Sequence, residues 1–222
     1  MRLNRLILHI AIITAFSGLA RTAHTQDEPV IHIYGLVDSP LNVTYSEFLR
    51  LPMTSVNASC ICVGAPPENP GVNSFVVYNY NWTGVRVSDL LALAGVQEGA
   101  VDVVFRDDTQ YSSSLPLDVA LELDKIIAVY ADGETLNRDQ GYPFRLVAPC
   151  WWGYKWVKFI TRLEIVDYDH LGFWESHGYP DIARIPDCDT TAFNPTVFTP
   201  TAQSLALLGV SMMLVAVYLS QR

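Results

Sequence analysis

Between residues 30 and 170 the chain alternates short apolar runs with turn-forming residues, the pattern of a domain built from brief strands and helices. "VIHIYGLV" (30–37) places apolar residues at every second position and predicts a strand. "DSPLNVTYSEFLRLP" predicts a turn and then a short helix, starting near Thr44 or Ser46 and stopped at Pro52. "SVNASCICVGA" predicts a strand that runs into the proline-rich loop "PPENPGVNS". "FVVYNYNWTGV" reads as strand then turn, and "RVSDLLALAGV" as an amphipathic helix with Ser88 as N-cap and Gly95 at its end. "AVDVVFRD" predicts a strand, and "YSSSLPLDVALEL" a Ser/Pro segment leading into another helix. "IIAVYADGETL" predicts a strand with a hairpin turn at Asp132–Gly133. Residues 173–199, rich in Pro and Asp and without clean periodicity, predict irregular covering structure and a stalk. Strands outnumber helices and the helices are short, which predicts an α+β class and not a doubly wound sheet.

The two ends break this pattern. Arg2 and Arg5 precede an apolar run from Leu6 to Leu19, and small residues follow in "LARTAHTQ", the layout of a secretory signal. From Ala202 to Leu219 no residue is charged, and Arg222 follows. At ~1.5 Å per residue such a run spans a hydrocarbon core, and the trailing arginine predicts a cytoplasmic C-terminus. The expected organisation is a signal peptide (1–26), one domain (27–180), an irregular stalk (181–200) and a transmembrane anchor (201–220). The domain would then lie on the extracytoplasmic side of a membrane, held by a single C-terminal pass.

Composition narrows the chemistry. The chain has 222 residues and a formal net charge of −9, which predicts no nucleic-acid partner. Its five histidines show no H-x-x-x-H spacing, and no G-x-S-x-G elbow, P-loop or G-x-G-x-x-G is present. Asn42, Asn57 and Asn81 each open an N-x-[ST] triplet, which fits export. Asp107 and Asp108 follow a predicted strand and read as solvated turn residues, with a catalytic carboxylate pair as the alternative. In an oxidising compartment the four cysteines (60, 62, 150, 188) are candidates for disulfides. Cys60 and Cys62 are two apart, so in a strand they would share a face. Cys62 ends its strand where a Gly/Pro loop begins; it reads either as a nucleophile or soft-metal ligand, or as a disulfide or buried thiol.

The segment "GYPFRLVAPCWWGYKWVKFITRLEIVD" (141–167) holds four basic residues against two acids, and three of the chain's five tryptophans. Arg145 would begin a strand, Gly153 permits close backbone approach, and Lys155 and Lys158 follow. This set suits an anionic phosphate beside a flat ring system; a solvated basic face over core tryptophans is the other reading.

Taken together, "IHIYGLVDSPLNVTYSEFLRLP", "CICVG", "WTGVRVSDLLALAGV", "YSSSLPLDVAL", "ADGETLNRDQGYPFRLVAPCWWGYKWVKFITRLEIVD" and "GFWESHGY" resemble, in order and spacing, the molybdopterin-binding domain of the sulfite oxidase family, over about residues 30–179. The resemblance implies that family's α+β fold, with a mixed sheet and short helices. It implies a Mo-molybdopterin cofactor whose metal is bound by Cys62 and whose phosphate is held by Arg145 and the Trp156-Val157-Lys158 segment. Gln140 falls at a pterin contact and Asp107 near a further one, while Lys155 and Arg162 are left as surface residues. The implied activity is oxygen-atom transfer on a small molecule. With no C-x-x-C-H haem motif in the chain, electrons would pass to or from a separate haem- or quinone-linked partner. Sulfite-oxidising members carry an arginine soon after the ligand cysteine; "CVGAPPENP" has none, which points to a neutral oxide unless Arg86 or Arg106 substitutes. Pairing of Cys150 with Cys188 would leave Cys62 free. Arg2 and Arg5 are not adjacent, so no twin-arginine export motif is present; the alternative function is a cofactor-free, surface-tethered binding module that retains the fold.

Overall fold

The computed structural model describes residues 28–62, 77–185, 188 and 197–198. The expected signal peptide, the transmembrane anchor and the Gly/Pro loop after Cys62 lie outside the described residues. Among the described residues no helix is long and apolar enough to cross a membrane.

The α+β expectation holds, with two sheets in place of one. The first contains β1 (Val30–Gly35), β2 (Leu41–Thr44), β5 (Asp102–Arg106), β6 (Ser112–Pro116) and β10 (Arg162–Val166), in the order β2-β1-β10-β5-β6. It is mixed: β1 runs parallel to β10, and the other pairs are antiparallel. The second contains β3 (Met53–Ile61), β4 (Val77–Arg86), β7 (Ile126–Ala131), β8 (Glu134–Thr135), β9 (Arg145–Val147) and β11 (Val197–Phe198). Here the order is β11-β3-β4-β7-β8, with β9 also paired to β7. The helices are one to two turns: α1 (Tyr45–Phe48), α2 (Val87–Ala94) and α3 (Leu117–Ala120).

Alternation explains β1 and β3. Ile31 and Ile33 of β1 are fully buried, and β3 turns Thr54, Val56, Ala58 and Cys60 inward in strict period two. Strands β5 and β7 are buried along nearly their whole length, so they read as runs without alternation. Val87, Leu90, Leu91 and Ala94 give α2 one apolar face toward the shared core. That core joins both sheets, with Phe105 and Ile165 from the first and Val56, Trp82 and Ile127 from the second.

Four local expectations are corrected. Residues 41–44 form β2 and not a turn; α1 then starts where expected, with Thr44 and Glu47 making a reciprocal capping box. Trp82, Thr83, Gly84 and Val85 continue β4, since a register shift at Thr83/Gly84 absorbs what resembled a turn. Ser88 is not the N-cap of α2: Arg86 holds that position without a side-chain bond, and Ser88 is buried. Gly95 does end the helix, at φ 71°. The serine run 112–114 is a buried strand, because its hydroxyls find partners in His170 and Glu175.

The packed body extends past residue 180. Trp152 N–H donates to the Ala183 carbonyl, Ile185 N–H donates to the Cys150 carbonyl, and a disulfide joins Cys150 to Cys188.

Gly84 marks the tightest approach between β4 and β7: a Cβ there would lie 1.9 Å from the Ile127 carbonyl oxygen. Gly84→Ala should lower unfolding free energy by about 3 kcal/mol, read from denaturant melts of the purified protein. A loss below about 0.5 kcal/mol would contradict this contact.

Candidate functional site

Three chain segments meet at the end of β3. The strand brings Cys60 and Cys62; residues 140–145 bring Arg145; and the 3₁₀ turn Gly153–Lys155 packs on the strand end. Gly153 is required there. A Cβ would stand 2.9 Å from the Ile61 carbonyl oxygen and 3.2 Å from both Cys60 Sγ and Cys62 Cα.

The two cysteines do not share a surroundings, contrary to the spacing argument. Cys60 is the last inward residue of β3 and is buried, whereas Cys62 lies beyond the strand and is exposed. Alternation applies only while the chain remains extended. With Cys150 and Cys188 joined, Cys60 and Cys62 are the free thiols. Burial pushes the Cys60 thiol up, and the Arg145 charge opposes this only in part.

Arg145 starts β9 and is 3% exposed. Its Nη2 donates to Cys60 Sγ at 3.2 Å and its Nη1 to the Gln140 carbonyl at 3.1 Å. The guanidinium carbon lies 4.8 Å from the Trp82 ring centroid and 5.7 Å from that of Trp156, so two indole faces replace part of its hydration. Both rings are fixed by their own Nε1–H, Trp82 to the Ala58 carbonyl and Trp156 to the Trp151 carbonyl. Arg145 Nε is buried without a partner. Burial lowers the pKa of Arg145. Lys158 is half-buried beside it, donates to the Asp139 carbonyl, and is lowered by burial and then by Arg145. Among the described residues neither cation has a carboxylate bonded to it; their acceptors are carbonyls and a thiol. Two adjacent, underpaired cations make a place that an anion would stabilise.

The remaining expected residues divide. Trp156 and Val157 are buried, and the Val157 carbonyl accepts from Leu146 N–H, which ties the segment to β9. Gln140 meets Arg145 through its carbonyl, while its side-chain oxygen accepts from Asn137 N–H in its own turn. Asp107 is corrected: it is 7% exposed and not a solvated turn residue, and its carboxylate accepts from Thr109 N–H and Oγ1. Its neighbour Asp108 is exposed.

Lys155 is also corrected. It is 1% exposed, with Nζ 2.7 Å from Glu175 Oε1 and 2.9 Å from Asp181 Oδ1. Arg162 is half-buried and donates to the Asp107 carbonyl. Glu175 also accepts from Ser113 Oγ of β6. This cluster carries the walls of a cleft of ≈ 190 Å³ at Cys62, lined by Tyr111, Gly153, Tyr154, Trp174 and Tyr179. Sequence reasoning gave those aromatics no role. The available signal was "GFWESHGY", whose glutamate faces inward between two aromatic residues that face the cleft.

Among the described residues no group of three or more His, Cys, Asp or Glu converges as a metal cluster. A metal at Cys62 would therefore take one thiolate from the described residues.

A family model described as the oxidoreductase molybdopterin binding domain matches residues 21–174. YuiH, an uncharacterized oxidoreductase of Bacillus subtilis, is 29% identical over 164 residues, which cover 70% of this chain and 78% of that one. The mitochondrial sulfite oxidase of Drosophila melanogaster is 32% identical over 170 residues, covering 68% and 30% respectively. The sulfane dehydrogenase SoxCD of Paracoccus pantotrophus superposes with a TM-score of 0.57 at 34% identity, over 63% of this chain and 38% of that one. The chain thus spans well under half the length of the last two.

Lys155→Met should cost about 3–5 kcal/mol in stability, because it strands the buried Glu175 carboxylate. Adding Glu175→Leu should recover much of that loss, a non-additivity read from a double-mutant cycle of denaturant melts. Additive losses would show that the pair is not coupled.

Proposed function

The chain belongs to the oxidoreductase molybdopterin-binding domain family, whose cofactor is Mo-molybdopterin, and from that premise we propose that it is a membrane-tethered, extracytoplasmic oxidoreductase acting on a small molecule. The observation that carries the reading is the pairing of an exposed thiol, Cys62, with two underpaired cations, the buried Arg145 and the half-buried Lys158, around one strand end. This donor set fits the cofactor: a soft sulfur for the metal and two cations for a phosphate. The close approach of Gly153 to the strand end keeps that side free of a side chain.

In this reading Cys62 ligates the metal. Arg145 receives the phosphate with little reorganisation, since Trp82, Trp156 and Cys60 already fix its guanidinium. Lys158 adds a second charge, and the Trp156–Val157 backbone holds the segment against β9. Gln140 acts through its carbonyl by orienting Arg145. Asp107 holds the turn that leads to Tyr111 on the cleft wall. When bound, the cofactor supplies two-electron oxygen-atom transfer, with electrons exchanged singly with a separate partner. Tether and side rest on the sequence: the apolar run at 202–219, the leader-like N-terminus and three N-x-[ST] triplets support them.

Protein purified from its native host should carry about one molybdenum and one pterin per chain. Cys62→Ser should abolish turnover with an artificial electron dye, and Arg145→Gln should lower the pterin retained after gel filtration. Less than about a tenth of a molybdenum per chain would overturn the reading, as would full activity in Cys62→Ser. The tether is tested by whether the full chain sediments with membranes while a chain ending at residue 200 is released.

A further inference from the structure

We propose that the cleft over Cys62 selects uncharged ligands with an apolar flank and turns away oxyanions. This deepens the oxidoreductase reading and rests on it for the chemistry that follows binding.

The walls are four aromatic side chains, Tyr111, Tyr154, Trp174 and Tyr179. Their rings brace one another: Tyr154 and Trp174 each meet Tyr179 edge-on, at 5.5 and 5.2 Å between centroids. Two of the three wall hydroxyls are spent on the protein. Tyr111 donates to the Tyr154 carbonyl and Tyr154 to the Pro180 carbonyl, both at 2.6 Å.

Lys155, the buried cation that follows Tyr154 in the chain, offers nothing either. Lys155 is neutralised by Glu175 and over-compensated by Asp181, so one positive and two negative charges leave this cluster at −1. Its field reaches the wall: the Tyr154 hydroxyl is pushed up by burial and then by Glu175 and Asp181. The candidate replacements lie elsewhere. Arg145 and Lys158 do not line the cleft, Arg106 is paired to Glu164 at 2.8 Å, and Arg86 is buried at the start of α2. Residues 63–76 and 186–196 contain no Lys, Arg or His, so neither segment can bring a cation to the site. An oxyanion entering here would lose hydration and meet no cation among the described lining residues, only the neutral Tyr179 hydroxyl and Trp174 indole N–H, against a negative local field. An uncharged molecule with an alkyl or aryl flank loses little hydration and gains aromatic contact.

A matched pair of probes isolates the charge: methyl phenyl sulfoxide is neutral, and benzenesulfinate carries the same ring with a negative head. Affinities for the full-length purified protein are read by calorimetric titration, with molybdenum content measured on the same preparation. The sulfoxide should bind at least about tenfold more tightly than the sulfinate. Trp174→Arg, at a partly exposed wall position, should narrow or invert that ratio by about tenfold. Asp181→Asn should shift it in the same direction by less and leaves Lys155 paired to Glu175. Equal or tighter binding of the sulfinate by the unmodified protein overturns the proposal, and so does absence of sulfoxide binding. Protein without molybdenum would defeat the oxidoreductase reading, while the affinity ratio would still decide the charge preference of the cleft.

Discussion

The buried ion pair between Lys155 and Glu175 is the constraint on which the site depends. Both side chains are out of water, so neither charge is tolerable without the other. Satisfying them requires the 3₁₀ turn at 153–155, the segment 170–181 and Ser113 of β6 to meet at one point. Once they meet, Gly153 lies against the end of β3, and Tyr154, Trp174 and Tyr179 enclose the cleft at Cys62. The pair is costly to desolvate and contributes specificity of placement more than net stability.

A second buried charge is handled differently, and the contrast divides the site in two. Lys155 is matched by carboxylates, so its side of β3 is aromatic and locally negative. Arg145 is matched by two indole faces, a thiol and a carbonyl, so its charge is sheltered without being cancelled. The same strand end thus presents a cationic side and an aromatic, locally negative side. On the proposed reading, that asymmetry would let a chain of net charge −9 hold an anion on one side without drawing anions into its cleft.

Much of this was legible in the sequence. Period two identified β1, apolar and β-branched composition identified β3, and the amphipathic pattern with Gly95 identified α2. The ordered set of segments identified the family, and Arg145, Lys158 and Cys62 did meet at one strand end. The misses share a cause. Ser112–Ser114 read as loop because hydroxyls suggest solvent, yet partners distant in sequence, Glu175 and the His170 segment, make them core residues. Lys155 read as surface because a lysine is rarely buried without a partner, and its partners lie 20 and 26 residues further on. Asp107 was misread for a similar reason, since burial depends on what packs over a turn.

By itself the sequence determined the class of fold, the family and the chemical types at the site, because periodicity and ordered motifs are properties of the chain alone. It also fixed that residues 63–76 bring no cation. Tertiary structure decided which of two cysteines two apart faces outward, which lysine is neutralised and which arginine is left underpaired. Those outcomes depend on where a strand stops and on which distant carboxylate arrives, and desolvation of each charge is set by neighbours the local sequence does not name.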